Sequence, residues 1–171
     1  MRSTALRSDE YHHYYQPYID VLGDVELMEM LQKQYVNFPQ FLASIPQEKL
    51  HYAYATDKWT IAEVLMHIID SERIFQYRAL RFARNDQTPL PGFEQDDYIP
   101  YSGAEKASKE SLVQQYQAVR QNTIALFSTF DDETLMRSGE ASGVKMSVRA
   151  LGFCCCGHQK HHRNIIRERY L

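Results

Sequence analysis

Four times along this chain, apolar side chains recur every three or four residues over roughly twenty positions, the period of an amphipathic helix and not of a strand. Each stretch makes a rod of about 30 Å at a rise of about 1.5 Å per residue. Rods of matched length bury their apolar faces best against one another, so the expected fold is all-α, a four-helix bundle. Turn residues are scarce, with 7 Gly and 6 Pro among 171 residues. An all-β sandwich or barrel, which turns about every 8–12 residues, is thereby disfavoured.

The first segment runs from about Val25 to Ala43, with Leu27, Met30, Leu31, Gln34, Tyr35, Phe38 and Phe41 on one face. Asp24 is its expected N-cap, and Pro39 is expected to kink the last turns or end the helix early. The second segment is better marked. Thr60 and Glu63 form a T-x-x-E capping box, and Trp59 and Val64 add a hydrophobic staple. Its apolar face continues through Ile61, Leu65, Ile68, Phe75 and Leu80 to about Arg84. The third runs from about Ser108 to Phe130, with Leu112, Tyr116, Val119, Thr123, Leu126 and Phe127 inward. The fourth follows Ser147, stapled by Met146 and Leu151, and extends to about Tyr170.

The connections before the second and fourth segments are polar and long enough for a reversal. The one from Asn85 to Ala107 is longer and holds three of the six prolines. A long loop of this kind inside a compact domain reads as a crossover. Helices two and three are then parallel, and the bundle runs up-down-down-up. The whole chain, 1–171, is expected to form one domain, with residues 1–23 as an N-terminal arm and 85–107 as the crossover.

Charge narrows the choice of partner. Nineteen Lys and Arg against 22 Asp and Glu leave a formal charge of −3, so a phosphate backbone is not the expected ligand. No run approaches the roughly 18 apolar residues of a membrane span. The opening MRSTALRSDEYHHYYQ has no apolar core of a signal peptide. The three cysteines, Cys154, Cys155 and Cys156, are adjacent and cannot pair normally, which fits a reducing cytoplasm.

Seven histidines are unevenly placed. His12, His13 and His51 lie outside the four segments and read as solvated polar residues. His67 is inside the second helix, and His158, His161 and His162 are in the fourth. His158 and His162 project from one face at i and i+4, a spacing that holds divalent ions. His158 and His161 also share a face. His67 lies about 10 Å from the start of its helix, and the His158–His162 pair about 14 Å from the end of the other. In an up-down-down-up bundle these heights nearly coincide. Three neutral imidazoles on one ion leave a position open for water or substrate, the pattern of a catalytic centre.

Two passages resemble the signature helices of the DinB-like family of bacterial proteins: KWTIAEVLMHIIDSERIFQYRALRFARND (Lys58–Asp86) and LGFCCCGHQKHHRNIIRERYL (Leu151–Leu171). The likeness is specific in W-[ST]-x-x-E-[VL]-x-x-H and G-H-x-x-H-H and loose elsewhere. It implies an up-down-down-up bundle, often a homodimer, with His67, His158 and His162 as ligands of one divalent transition metal, zinc or nickel foremost. It also implies that His161 is not a ligand. Relatives include thiol S-transferases acting with bacillithiol and mycothiol-dependent maleylpyruvate isomerase, and many others are classed as metal-dependent hydrolases. The resemblance therefore implies a small-molecule substrate and an enzyme that activates water or a low-molecular-weight thiol.

Asp70 is the candidate catalytic carboxylate, three positions after His67, able to act as a general base or to orient an imidazole. Glu63 is assigned to the capping box and the cysteines to packing. Arg73, Arg78, Arg81 and Arg84, with Lys160, Arg163, Arg167 and Arg169, read as a solvated face or dimer contact. The 12 tyrosines, dense in YHHYYQPY and HYAY, are expected to cover one end of the bundle or a partner. The competing reading is a non-catalytic metal-binding bundle that works through a protein partner.

Overall fold

A computed structural model describes all residues, 1–171. Its four long helices are α2 (Leu27–Ser44), α3 (Ile61–Ala83), α5 (Lys109–Phe127) and α7 (Val148–Ile165), whose last turn widens into a π-type turn over Ile166–Tyr170. Between them lie the short helices α1 (Gln16–Asp20), α4 (Gln95–Tyr98) and α6 (Asp132–Met136). The capping box of α3 forms as expected: the Thr60 hydroxyl accepts from Glu63 N at 3.3 Å, and Glu63 Oε2 accepts from Thr60 N at 2.7 Å. Ser108 and Ser147 cap α5 and α7 without the reciprocal bond, accepting from Ser111 N and Ala150 N.

Three expectations about the helices are corrected. The N-cap of α2 is Glu26, which accepts from Glu29 N at 2.9 Å, because Asp24 is engaged by Arg2 instead. Pro39 neither ends nor shortens α2, which continues to Ser44. Phe38, Phe41 and Leu42 are buried on both sides of the proline, and their packing offsets a helix-interior cost of about 3 kcal/mol. Finally, α5 stops at Phe127 and not near Phe130.

The fold is also not strictly all-α. Strands β1 (Ser138–Ala141) and β2 (Val144–Ser147) pair antiparallel, with Ser138 opposite Ser147 and Ala141 opposite Val144. Ser142 and Gly143 make the turn with φ of 56° and 73°, the doubly left-handed geometry that suits a tight hairpin. The crossover is pinned to this hairpin. Leu90 N donates to the Glu140 carbonyl at 2.9 Å, and Ser142 N donates to the Leu90 carbonyl at 3.0 Å.

Contacts between side chains give the order of helix ends. Lys109, opening α5, donates to the Ile45 carbonyl beyond the end of α2 at 2.5 Å. Along α3 and α5 the partners advance together, Glu72 with Arg120 and Gln76 with Thr123. Tyr170, at the end of α7, donates to the carbonyl of Trp59, just before α3, at 2.7 Å. Two apolar clusters fill the bundle, one around Leu31, Phe82 and Phe153, the other around Phe38, Leu65 and Tyr116.

Residues 1–23 are packed rather than extended. Glu10 is buried against Arg149, accepting from its Nε at 2.6 Å, and accepts from Ser147 Oγ at 2.9 Å. Tyr15, Ile19 and Leu22 enter the core. Helix α1 lies so close to α7 at Gly157 that a Cβ there would stand 1.8 Å from the Tyr18 carbonyl oxygen. Only glycine admits that approach, and it places Tyr18 over the residue that follows, His158.

Candidate metal centre

The heights estimated for the histidines agree with the structure. His67 Nε2 lies 2.9 Å from His158 Nε2, which lies 3.1 Å from His162 Nε2. One donor nitrogen from each of the three falls within 4.8 Å of the others. Helix α3 supplies the first and α7 the other two. His161 is excluded: it is half-buried, beside the Tyr18 ring, and does not join the cluster.

A ring nitrogen either donates one proton or offers one lone pair. His158 Nε2 faces two other ring nitrogens and cannot satisfy both in either form. A single cation among three lone pairs satisfies all of them. Ligand nitrogens about 2.1 Å from a tetrahedral ion stand about 3.4 Å apart, close to the two spacings around His158. The donor set therefore fits a divalent transition metal. Burial keeps the imidazoles in the neutral form that a metal requires: it pushes His67 down to about 4 and His162 to about 3, and His158 well below its usual range with the neighbouring histidines adding to the effect.

The surroundings hold these rings in place. Trp59 and Phe75 set their rings 4.9 Å from His67 and 5.9 Å from His158, and the Tyr18 ring is 5.3 Å from His158. Ser71 Oγ, one turn along α3, stands 3.5 Å from His67 Nδ1, on the side of the ring away from the cluster. Asp70 does not reach the cluster. Its carboxylate accepts from Arg73 Nη1 at 2.7 Å. Glu63 serves the cap of α3, as expected. All three cysteines are buried, and burial pushes their thiols up, Cys156 to about 12, so none is a thiolate at neutral pH.

A cavity of about 410 Å³ opens beside His158. Its walls come from four places: Ser71, Phe75 and Arg78 of α3, the arm's Tyr14, Tyr15 and Tyr18, the crossover's Phe93, Glu94 and Asp96, and the hairpin's Ser142 and Val144. Two readings are revised by this. His12 lines the cavity as well, and is more than a solvated residue. Arg78, expected on a solvated face or at a dimer contact, is 3 % exposed within the single chain, because the hairpin and crossover cover the α3 row that carries it. The signal available in the sequence was the spacing of Ser71, Phe75 and Arg78 in line with His67. The tyrosines of YHHYYQPY cover this end of the bundle, while Tyr52 and Tyr54 of HYAY pack against Tyr170.

Fold and cluster together describe a helical bundle with a histidine-lined candidate metal centre. The chain belongs to the DinB superfamily, whose family model matches residues 30–166. It is similar in structure to YfiT of Bacillus subtilis, described as a probable metal-dependent hydrolase with an unusual four-helix bundle topology. The TM-score is 0.69 at 17 % sequence identity, over 95 % of this chain and 89 % of that one. No curated protein matches it significantly.

Proposed function

We propose that this chain is a metal-dependent enzyme acting on a small molecule, with one divalent transition-metal ion held by Nε2 of His67, His158 and His162. The convergence of those three nitrogens, with His67 and His158 buried, His162 partly so and His158 facing a cavity, carries the reading. The fold pairs support an up-down-down-up course for one unit spanning 1–171. A divalent ion supplies Lewis-acid activation of water or of a low-molecular-weight thiol.

The residues around the cluster have definite tasks in this reading. Ser71 steadies the His67 ring through its contact with Nδ1, and Tyr18, Trp59 and Phe75 exclude water from the flanks of the rings. The cavity beside His158 admits a substrate, which a sealed structural metal site lacks. The similarity to YfiT favours hydrolysis over thiol transfer. Metal analysis of untagged protein tests the assignment. We expect one equivalent of metal in the natural chain and none in His162→Ala; equal metal in both refutes it. Turnover of ester and amide panels, with and without added thiol, then separates the two chemistries.

A further inference from the structure

Three arginines are buried in this chain, and two of them face a carboxylate: Arg120 pairs with Glu72, and Arg149 with Glu10. Arg78 has none. Its Nη2 donates to Ser142 Oγ at 2.8 Å and to the Pro91 carbonyl at 3.3 Å, and the Phe93 ring lies 6.0 Å from its guanidinium carbon. These partners are neutral. The carboxylates of the cavity wall, Glu94 and Asp96, are exposed and neither pairs with it. A guanidinium withdrawn from water without a counter-charge is expensive, and it is the residue best shaped to bind a carboxylate or phosphate through two parallel hydrogen bonds.

Arg78 and His67 are eleven residues apart on α3, and eleven steps of about 100° bring the chain back to nearly the same face. They are about three turns apart, or about 16 Å along the axis, and an arginine side chain leans back toward the helix start. His158, from the histidine cluster, and Arg78 both line the one cavity.

We propose that Arg78 recognises an anionic group on the substrate, so that the enzyme acts on organic acids that carry a carboxylate or phosphate remote from the bond that reacts. The anion docks at Arg78 and Ser142, and the reacting group is presented at the histidine cluster. The inference rests on the reading of that cluster as the reactive centre. An acid whose carboxylate is itself the reacting group does not fit this arrangement.

Calorimetric titration with phenylacetate, phenyl phosphate and the neutral phenylacetamide tests it, on the natural metal-loaded protein and on Arg78→Met. One of the acids should bind the natural protein at least about tenfold more tightly than the amide. Which acid does so identifies the anion, and Arg78→Met should lose the preference. Equal binding of acid and amide overturns the proposal. So does a preference that survives in Arg78→Met, since the anion is then held by the metal. If Arg78→Met does not fold, Arg78→Gln takes its place, and the acid-against-amide comparison on the natural protein decides. An acid preference that persists in His162→Ala supports Arg78 whatever metal that variant holds. A natural protein that holds metal without preferring acids overturns this inference and leaves the metal reading standing.

Discussion

Glu72 and His67 lie five residues apart on the same helix, and both are buried, but their surroundings are opposite in kind. Glu72 accepts from Arg120 Nε at 2.6 Å, Arg120 Nη2 at 2.9 Å and Thr123 Oγ at 2.8 Å. Arg120 Nη1 reaches Gln34 Oε1 at 2.6 Å, and Gln34 Nε2 donates in turn to the Cys156 carbonyl at 2.9 Å. This network joins α2, α3, α5 and α7 with charge answered by charge. The histidines face one another instead, with no carboxylate among them. A buried polar network that satisfies itself fixes helices in register. One that cannot satisfy itself is waiting for something from outside.

The comparison breaks most visibly in the network. Glu72→Ala leaves the Arg120 guanidinium, fully buried, without its counter-charge. We expect a loss of about 3–5 kcal/mol in denaturant unfolding. The double variant Glu72→Leu, Arg120→Met removes both charges and should recover most of that loss. If the single variant is as stable as the natural chain, the network is not the strut described.

How far the sequence foretold these regions follows from how local their signals are. The capping box Thr60–Glu63 and the bounds of α3 were legible, because a helix start is written in four or five consecutive residues. The His158–His162 pair was legible for the same reason, and His67 joined it through the matching heights in an up-down-down-up bundle and through the DinB-like resemblance. The hairpin was not foreseen: its strands have four residues each, and only Ser142-Gly143 marks the turn. The cavity was hidden with it. Its walls come from the arm, the crossover and the hairpin, which have no periodicity to read, and the burial of Arg78 depends on contacts 13 and 64 residues away. The Arg120–Glu72 pair, 48 residues apart, was likewise invisible to pattern.

Acid probes the other side of the comparison. In the metal-free protein, burial holds His67 down to about 4 and His162 to about 3, while an unfolded histidine titrates near about 6.5. Above that value both states are neutral and these groups add no pH dependence. Below it the unfolded chain takes up protons that the folded chain refuses, so stability is lost as the pH falls. The slope is about 1.4 kcal/mol per pH unit for each such histidine until its folded value is reached. Denaturant melts at pH 7.5, 6 and 5 should show this fall, and His162→Gln should make it shallower, with His67 and His158 supplying what remains. A natural chain equally stable at pH 7.5 and 5 contradicts the burial argument. The same protons compete with metal, so metal release should follow the same direction.

The smallest effect is expected at Asp70, and it sharpens the boundary of the site. Asp70 and Ser71 are neighbours, but a helix turns about 100° between them. Ser71 faces His67 Nδ1, while the Asp70 carboxylate turns to Arg73, with both partners partly exposed. Exposed pairs of this kind contribute about 0–1 kcal/mol. Asp70→Asn should therefore change stability by no more than about 0.5 kcal/mol and leave both metal stoichiometry and turnover as they were. A large drop in turnover with metal retained would return Asp70 to the chemistry as a base that swings inward from Arg73. Unchanged turnover limits the contribution of α3 to its inner face, the row that runs from His67 through Ser71 to Arg78, opposite the two histidines of α7.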